Sequence, residues 1–405
     1  MQGHGELELG SESMRAVYRD LLRFGPRSRS DLAARLGLSA PTITRATRDL
    51  LAAGRLRPLD VVARAKGRPQ EPLDVVENDG PRFIGVKVTA EDIHTVVTTV
   101  RGNPVEELTL PLTDTAPEIV QAALIPPVRA LAEAHPRIAG VGVSVGGPVV
   151  GRRTVLSSPA HLLDWDREVD LASVLEERLH LPVVVENDLL AMVHGLHWFG
   201  IGRAYRSFAV LTVGAGIGTG IVIDGRLVRG HHHVAGLTGR FPVGVRGDGS
   251  LLPLREVAST EAILRSARAA SLLTPAQGIE DLRRLLAGGD PRARALTGEL
   301  ARHLAAAVAG VIALVDPEAI ILGGESIDLV RGAGDVFEGA LRGALSSAQQ
   351  GVEVRELSGT FDEWARGAAV IAIQEFVGHD GAGTSRPGPG GGYADPPDEQ
   401  ARSPR

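Results

Sequence analysis

The chain has no cysteine, which rules out disulfide staples and thiolate metal sites and fits a reducing cytoplasm. Aromatic residues make up only 3% of it, so leucine, valine and alanine must fill whatever cores it builds. Lysine occurs twice, as Lys66 and Lys87, so nearly all positive charge is guanidinium. The longest uncharged stretch, residues 207–223, is interrupted by Gly214, Gly216, Gly218 and Gly220 and falls short of a membrane span. The first ten residues carry Glu6 and Glu8 and no apolar run, so no secretory signal is legible. The expectation is a soluble, cytoplasmic chain with no membrane partner.

What is present is 405 residues, 43% apolar and 23% charged, enough for two or three domains at about 150 residues each. The net charge of -6 conceals a division. Residues 11–70 hold twelve arginines and Lys66 against Glu12, Asp20, Asp31, Asp49 and Asp60, a surplus of eight positive charges. The remainder therefore carries a surplus of fourteen negative ones. A basic head on an acidic body suits a polyanion that the body would repel, although a solvated arginine-rich surface explains the charge equally well.

Within the head, Met14, Val17, Leu21 and Leu22 recur at helical spacing until Gly25-Pro26. A second, short helix can be capped by Ser30, bury Leu32 and Leu36, and break at Gly37. Ser39 caps a third, with Pro41 in its first turn, where a missing N–H costs little, and an end near Gly54. Helix, short turn, helix is the spacing of a DNA-reading helix-turn-helix, whose second helix enters the major groove by its N-terminal residues. Ile43 and Leu50 then face inward, leaving Ser39, Ala40, Pro41, Thr42, Thr44, Arg45 and Arg48 for phosphates and base edges. Leu59–Val62 and Leu73–Val76 can pair as strands around a basic tip of Arg64, Lys66 and Arg68. The string DLAARLGLSAPTITRATRDLLAAGRL resembles the winged helix-turn-helix of bacterial regulators; a helical dimerisation module is the alternative.

From Phe83 onward strands and helices alternate, which predicts an α/β fold. FIGVKV, IHTVVTTV, IAGVGVSVGGPVV and PVVVEND read as strands, with helices near 118–134 and 171–179. FAVLTVGAGIGTGIVIDGRLV reads as a hairpin through a glycine-rich loop with a second turn at Asp224-Gly225. Helices over about 297–315 and 362–376 flank the strand AIILGGES. No internal repeat is visible. Residues 381–405 hold six glycines and five prolines and are expected to be disordered.

GVGVSVGGPV, SPAHLLDW, VVVENDLLA, LTVGAGIGTGIVIDGRLVRG, VAGLTGR and LVDPEAIILGGES, in that order over residues 83 to about 378, resemble the ROK family (repressor, open reading frame, kinase). The resemblance implies a two-lobed, actin-like sugar-kinase fold behind the winged head, as in the family's transcriptional regulators. The expected organisation is a disordered N-terminus (1–10), the winged head (11–76), a linker (77–82), lobe 1 (83–195, completed by helix 362–378), lobe 2 (196–361) and a disordered tail (379–405).

The departures from the family pattern bear on chemistry. In IGVKVTAEDI, Lys87 stands where family kinases place the Asp of the phosphate loop, and Thr89-Ala90 stand where they place glycines. A cation there cannot organise Mg²⁺, and the added Cβ atoms narrow the approach to phosphate. Asn187 and Asp188 match the family's sugar-site pair, whose Asp would act as general base in a kinase; the two can equally cap the following helix. Leu237 replaces the sugar-binding Glu, Arg240 replaces the zinc- and sugar-binding His, and Ala160 replaces a sugar-binding Asn. Gly147, Asn187, Asp188 and Arg240 are the candidate effector residues, Arg240 suiting an anion such as a sugar phosphate. The stretch 240–259 lacks the His and Cys of the family's structural zinc, and His231, His232 and His233 adjoin on a loop where they cannot easily converge. No metal, cofactor or catalytic group is expected. The resemblance thus implies a repressor-type regulator, dimeric or tetrameric, binding double-stranded DNA at a pseudo-palindrome under a sugar or sugar-phosphate effector. A sugar kinase with an appended head and a regulator with a vestigial pocket are the other readings.

Overall fold

A computed structural model describes residues 9–60, 71–157, 163, 165–331, 333–357 and 362–378. The head contains α1 (Glu12–Phe24), α2 (Arg29–Leu36), α3 (Ala40–Ala52), β1 (Leu56–Pro58) and β2 (Leu73–Val75). Ser11 caps α1, and Gly25, at φ +84°, ends it with its N–H on the Leu21 carbonyl. The cap of α2 is Ser28, not Ser30, because its hydroxyl is the one that reaches the Asp31 N–H, at 3.2 Å. Gly37 in the left-handed region closes that helix. Ser39 caps α3 through the Thr42 N–H, and Ile43, Ala46, Thr47 and Leu50 are buried. Strand pairing begins at Leu56 rather than Leu59: Leu56 opposes Val75, and both are core residues. Leu9 is buried in the same core, so ordered packing begins inside the N-terminal segment expected to be loose.

Lobe 1 continues with β3 (Arg82–Val88), β4 (Asp92–Thr99), β5 (Pro104–Pro111), α4 (Pro117–Ala134), β6 (Ile138–Val145), β7 (Val149–Val150), β8 (Thr154–Val155), β9 (Val169–Asp170), α5 (Leu171–Leu179), β10 (Val183–Asn187) and α6 (Asp188–Trp198). Lobe 2 holds β11 (Phe208–Val213), β12 (Ile217–Ile223), β13 (Arg226–Leu227), β14 (Pro242–Val245), β15 (Leu251–Pro253), α7 (Arg255–Ala258), α8 (Thr260–Ala269), α9 (Ile279–Ala287), α10 (Pro291–Val315), β16 (Ala319–Gly323), α11 (Ile327–Arg331), α12 (Gly334–Ala344) and β17 (Glu353–Glu356). α13 (Asp362–Val377) returns to lobe 1.

The two large sheets share one plan. In each an antiparallel meander of three strands, β3-β4-β5 or β11-β12-β13, is extended by two parallel strands, β6-β10 or β16-β17. The fold thus repeats although the sequence shows no repeat, because topology survives changes that erase residue identity. Asp224 and Gly225 both take positive φ, which fits the tight β12–β13 turn.

α6 and α13 lie between the layers, apolar nearly all round as buried helices must be. The sequence-based boundary at 195/196 falls inside α6, which packs on α13 on one side and on β12 on the other. α10 is 25 residues long and apolar enough, by length and composition alone, to cross a membrane; its Leu300, Leu304, Val308 and Ile312 are buried in the core of lobe 2. The segment after β2 is tied down: Glu77 accepts from Thr99 Oγ1 (2.8 Å) and Asn103 Nδ2 (2.5 Å). Arg101 of lobe 1 pairs with Asp74 at 2.5 Å and donates to the Leu21 carbonyl. Head and lobe 1 share a continuous apolar cluster in which Val17, Leu21 and Leu22 join Trp198, Val370 and Val377.

Candidate functional site

Two surfaces carry the candidate residues. The first is the outer face of α3, where Ser39, Ala40, Pro41, Thr44, Arg45 and Arg48 are exposed and Thr42 is half-buried. The hydroxyls are partly committed: Ser39 and Thr42 bond each other at 2.8 Å, and Thr44 donates to the Ala40 carbonyl at 2.8 Å. Asp49 holds Arg48 through two contacts, at 3.0 and 2.9 Å. Arg45 has no ion pair among the described residues. Arg64, Lys66 and Arg68 lie outside them.

Much of the head's positive charge is structural. Buried Asp20 is flanked by Arg27 and Arg35, both at 3.0 Å. Arg29 donates to Thr47 and faces Glu71. Arg23 lies against His197 (3.3 Å) and the Trp198 ring, and Arg19 donates to the Gly378 carbonyl at 2.8 Å. Tyr18 is buried in the same head core, its phenol pushed above its ordinary pKa by burial. The charge surplus alone therefore overstates what is free to meet a polyanion.

The second surface is a cleft of about 710 Å³ between the sheets. Gly147, Asn187 and Asp188 meet there, at the carboxyl ends of β6 and β10. Asn187 is the N-cap of α6: its Oδ1 accepts from the Leu190 N–H at 3.2 Å, and its Nδ2 donates to the Gly147 carbonyl at 3.0 Å. Asp188, the first residue of α6, accepts from its neighbour Leu189 N–H at 2.8 Å. Its other oxygen is ion-paired with Lys87. The Lys87 side chain is only 4% exposed and its ammonium lies 5.3 Å from the Trp364 ring centre. The lysine at the phosphate-loop position thus sits on the carboxylate at the base position.

Arg240 is exposed and does not line this cleft, so the structure does not bring it to the other three. It ends a short helical turn that points the chain toward β14. Leu237, in the preceding turn, does line the cleft. So does His233, whereas His231 and His232 stack edge-to-face on each other, 4.5 Å apart. Among the described residues no group of three His, Cys, Asp or Glu is arranged to hold a metal ion.

Two features escaped the sequence reading. Glu186, wholly buried one residue before the Asn-Asp pair, is clasped by Arg229 at 3.0 and 2.5 Å. Strand alternation places it on the opposite face from Asn187, and a charge inside an otherwise apolar strand was the available signal. Behind it Arg152, held below its ordinary pKa by burial, donates to Gln374 at 2.9 Å. The second feature is Glu325, whose carboxylate accepts the Ala215 N–H of the β11–β12 loop. Only a distant pairing could reveal it.

Paired α/β lobes closing on a cleft, with a buried helix shared between them, define an actin-like, sugar-kinase type of fold with an N-terminal helical region. The ROK family profile matches residues 83–375, and the chain belongs to that family. A crystal structure of a ROK family transcriptional regulator, described as a homologue of the E. coli MLC protein, superposes with a TM-score of 0.76 at 24% identity, over 93% of this chain and 98% of the other. A transcriptional regulator of Mycobacterium bovis is 27% identical over 91% of this chain and 86% of its own length. A glucokinase of Streptomyces coelicolor is 34% identical over 60% of this chain and 81% of its own. These two regulators match over nearly the whole chain, and the kinase over a smaller share.

Proposed function

We propose that the protein is a transcriptional repressor that binds a pseudo-palindromic double-stranded operator as a homodimer through the winged helix-turn-helix of its head, and whose ROK lobes receive a sugar or sugar-phosphate effector without phosphorylating it. The observation that carries the reading is the outer face of α3, capped by Ser39 and exposing Arg45, which has no ion pair among the described residues, as a major-groove recognition helix would require. One winged module buries little surface on DNA, so two modules on a repeated half-site supply the affinity. Arg64, Lys66 and Arg68 extend the contact along the backbone.

Both buried helices run from cleft to head, which gives effector binding a mechanical route. α6 begins at Asp188 and ends at His197 and Trp198 under Arg23. α13 carries Trp364 beside Lys87 and ends where the Gly378 carbonyl receives Arg19. A ligand that shifts either helix shifts the head, by at most its differential affinity for the two arrangements, typically ~1–3 kcal/mol.

Replacing Arg45 by Ala tests the assignment. If Arg45 reads a base, the variant loses roughly 1–3 kcal/mol of operator affinity in a gel shift; an unchanged midpoint rejects it. The second reading, a sugar kinase with an appended head, draws on Asp188, the glycine-rich loops and the glucokinase relative. The Lys87–Asp188 pair speaks against it. ADP release with a panel of hexoses decides: turnover abolished by Asp188→Asn would establish a kinase.

A further inference from the structure

The β11–β12 loop lines this cleft; its Gly214 N–H is committed to the Gly216 carbonyl at 3.0 Å, and its Ala215 N–H is a donor that an oxyanion in the cleft could occupy. Here a side chain of the protein has taken that place. The Glu325 carboxylate accepts the Ala215 N–H, and a Cβ on Gly214 would overlap it, so the loop and the carboxylate are fitted to each other. The Glu325 segment is itself anchored. Arg283 donates to the Glu325 carbonyl at 2.5 Å and to Asp328 at 2.6 and 2.9 Å, and the Ser326 N–H donates to Val213 at 3.0 Å.

We infer that Glu325 makes the cleft selective against phosphate, and that the ligand it admits is an uncharged, unphosphorylated polyhydroxy compound. The inference rests on reading the cleft as an effector site. A phosphate in the loop would have to displace Glu325 and lie beside its charge. Glu91, Asp92 and Asp188 line the same cleft and add to the repulsion. A phosphate drawn instead to Lys87 would strip Asp188 of its partner and leave a carboxylate only 14% exposed without a counter-charge. A hydroxyl avoids both costs. It can donate to Asp188 while accepting from Lys87, entering between the two without leaving either charge unpaired.

Thermal melting of the full-length protein with inorganic phosphate, and separately with glucose and glucose 6-phosphate, tests this. Wild type and Glu325→Ala are compared, because the variant removes the carboxylate while keeping the backbone carbonyl that Arg283 holds. Glu325→Gln, which neutralises the charge but keeps the shape, covers the case where the Ala variant does not fold. The expected result is that either variant binds inorganic phosphate at least about tenfold more tightly than wild type, the scale of one hydrogen bond to a charged group. An equal response of variant and wild type to phosphate overturns the inference. So does a wild type stabilised more by glucose 6-phosphate than by glucose. Operator binding is scored separately by gel shift: its loss refutes the repressor reading while leaving the phosphate result standing, and the converse holds.

Discussion

Lys87 and Asp188 form a buried pair in which each charge depends on the other. Removing one member leaves the second in a site that water barely reaches, and breaking such a pair costs about 3–5 kcal/mol. The Leu189 N–H and the Asn187 side-chain amide, both donating to Asp188 Oδ1, soften the loss when Asp188 is the survivor. Lys87→Met is therefore expected to lower stability by about 3 kcal/mol in chemical denaturation, and the double variant Lys87→Met/Asp188→Asn to recover part of it. A Lys87→Met protein as stable as wild type would show that the pair is incidental. At this scale the sequence was informative about identity and silent about pairing. Gly147, Asn187 and Asp188, singled out by their order along the chain, lie together in the cleft. The partners Arg229 for Glu186 and Glu325 for Ala215 were not, because they lie far apart in sequence and only the closed sheets bring them together. Arg240 was placed in the cleft by motif alone, and the turn at residues 238–240 carries it outside.

Among the elements, α13 is held most tightly. A Cβ on Gly142 would overlap the Ala368 carbonyl, and a Cβ on Gly367 would overlap the Ala191 carbonyl. The helix therefore lies backbone-to-backbone on the sheet on one side and on α6 on the other. Gly142→Ala must push α13 off β6, and overpacking of this kind costs typically ~1–3 kcal/mol. A lower melting temperature together with weaker operator binding is expected, since the far end of α13 holds the head. Normal DNA affinity in a destabilised Gly142→Ala protein would argue against coupling through α13. Elements with punctuation were legible: Ser39, Pro41 and Gly54 framed α3, and Asp224-Gly225 marked its turn. β5 was not, because its residues are exposed almost throughout and its alternation is confined to Leu108 and Leu110 at one end. The first six residues of α10 were also missed, their arginine-rich opening masking the Asp290 cap and Pro291 start. The α2 cap was misread because two serines stand two residues apart and only geometry chooses between them.

For the whole molecule, the charge division is the physical basis of the proposal. A cationic head of which part is already neutralised by Asp20, Glu71, Asp74 and Asp49 should contact DNA phosphates with the remainder. The acidic lobes favour an orientation that keeps them clear. Operator affinity should fall as salt rises, linearly on logarithmic axes with a slope of about -0.9 per phosphate contacted. Arg45→Ala should flatten that slope by about one contact if its partner is a phosphate, and leave it unchanged while relaxing specificity if its partner is a base. The most direct measurement is selection of sheared genomic DNA from the source organism by the full-length protein at modest ionic strength. A repressor predicts enrichment of a small set of fragments sharing an inverted repeat. Recovery of no fragment above the input would contradict it.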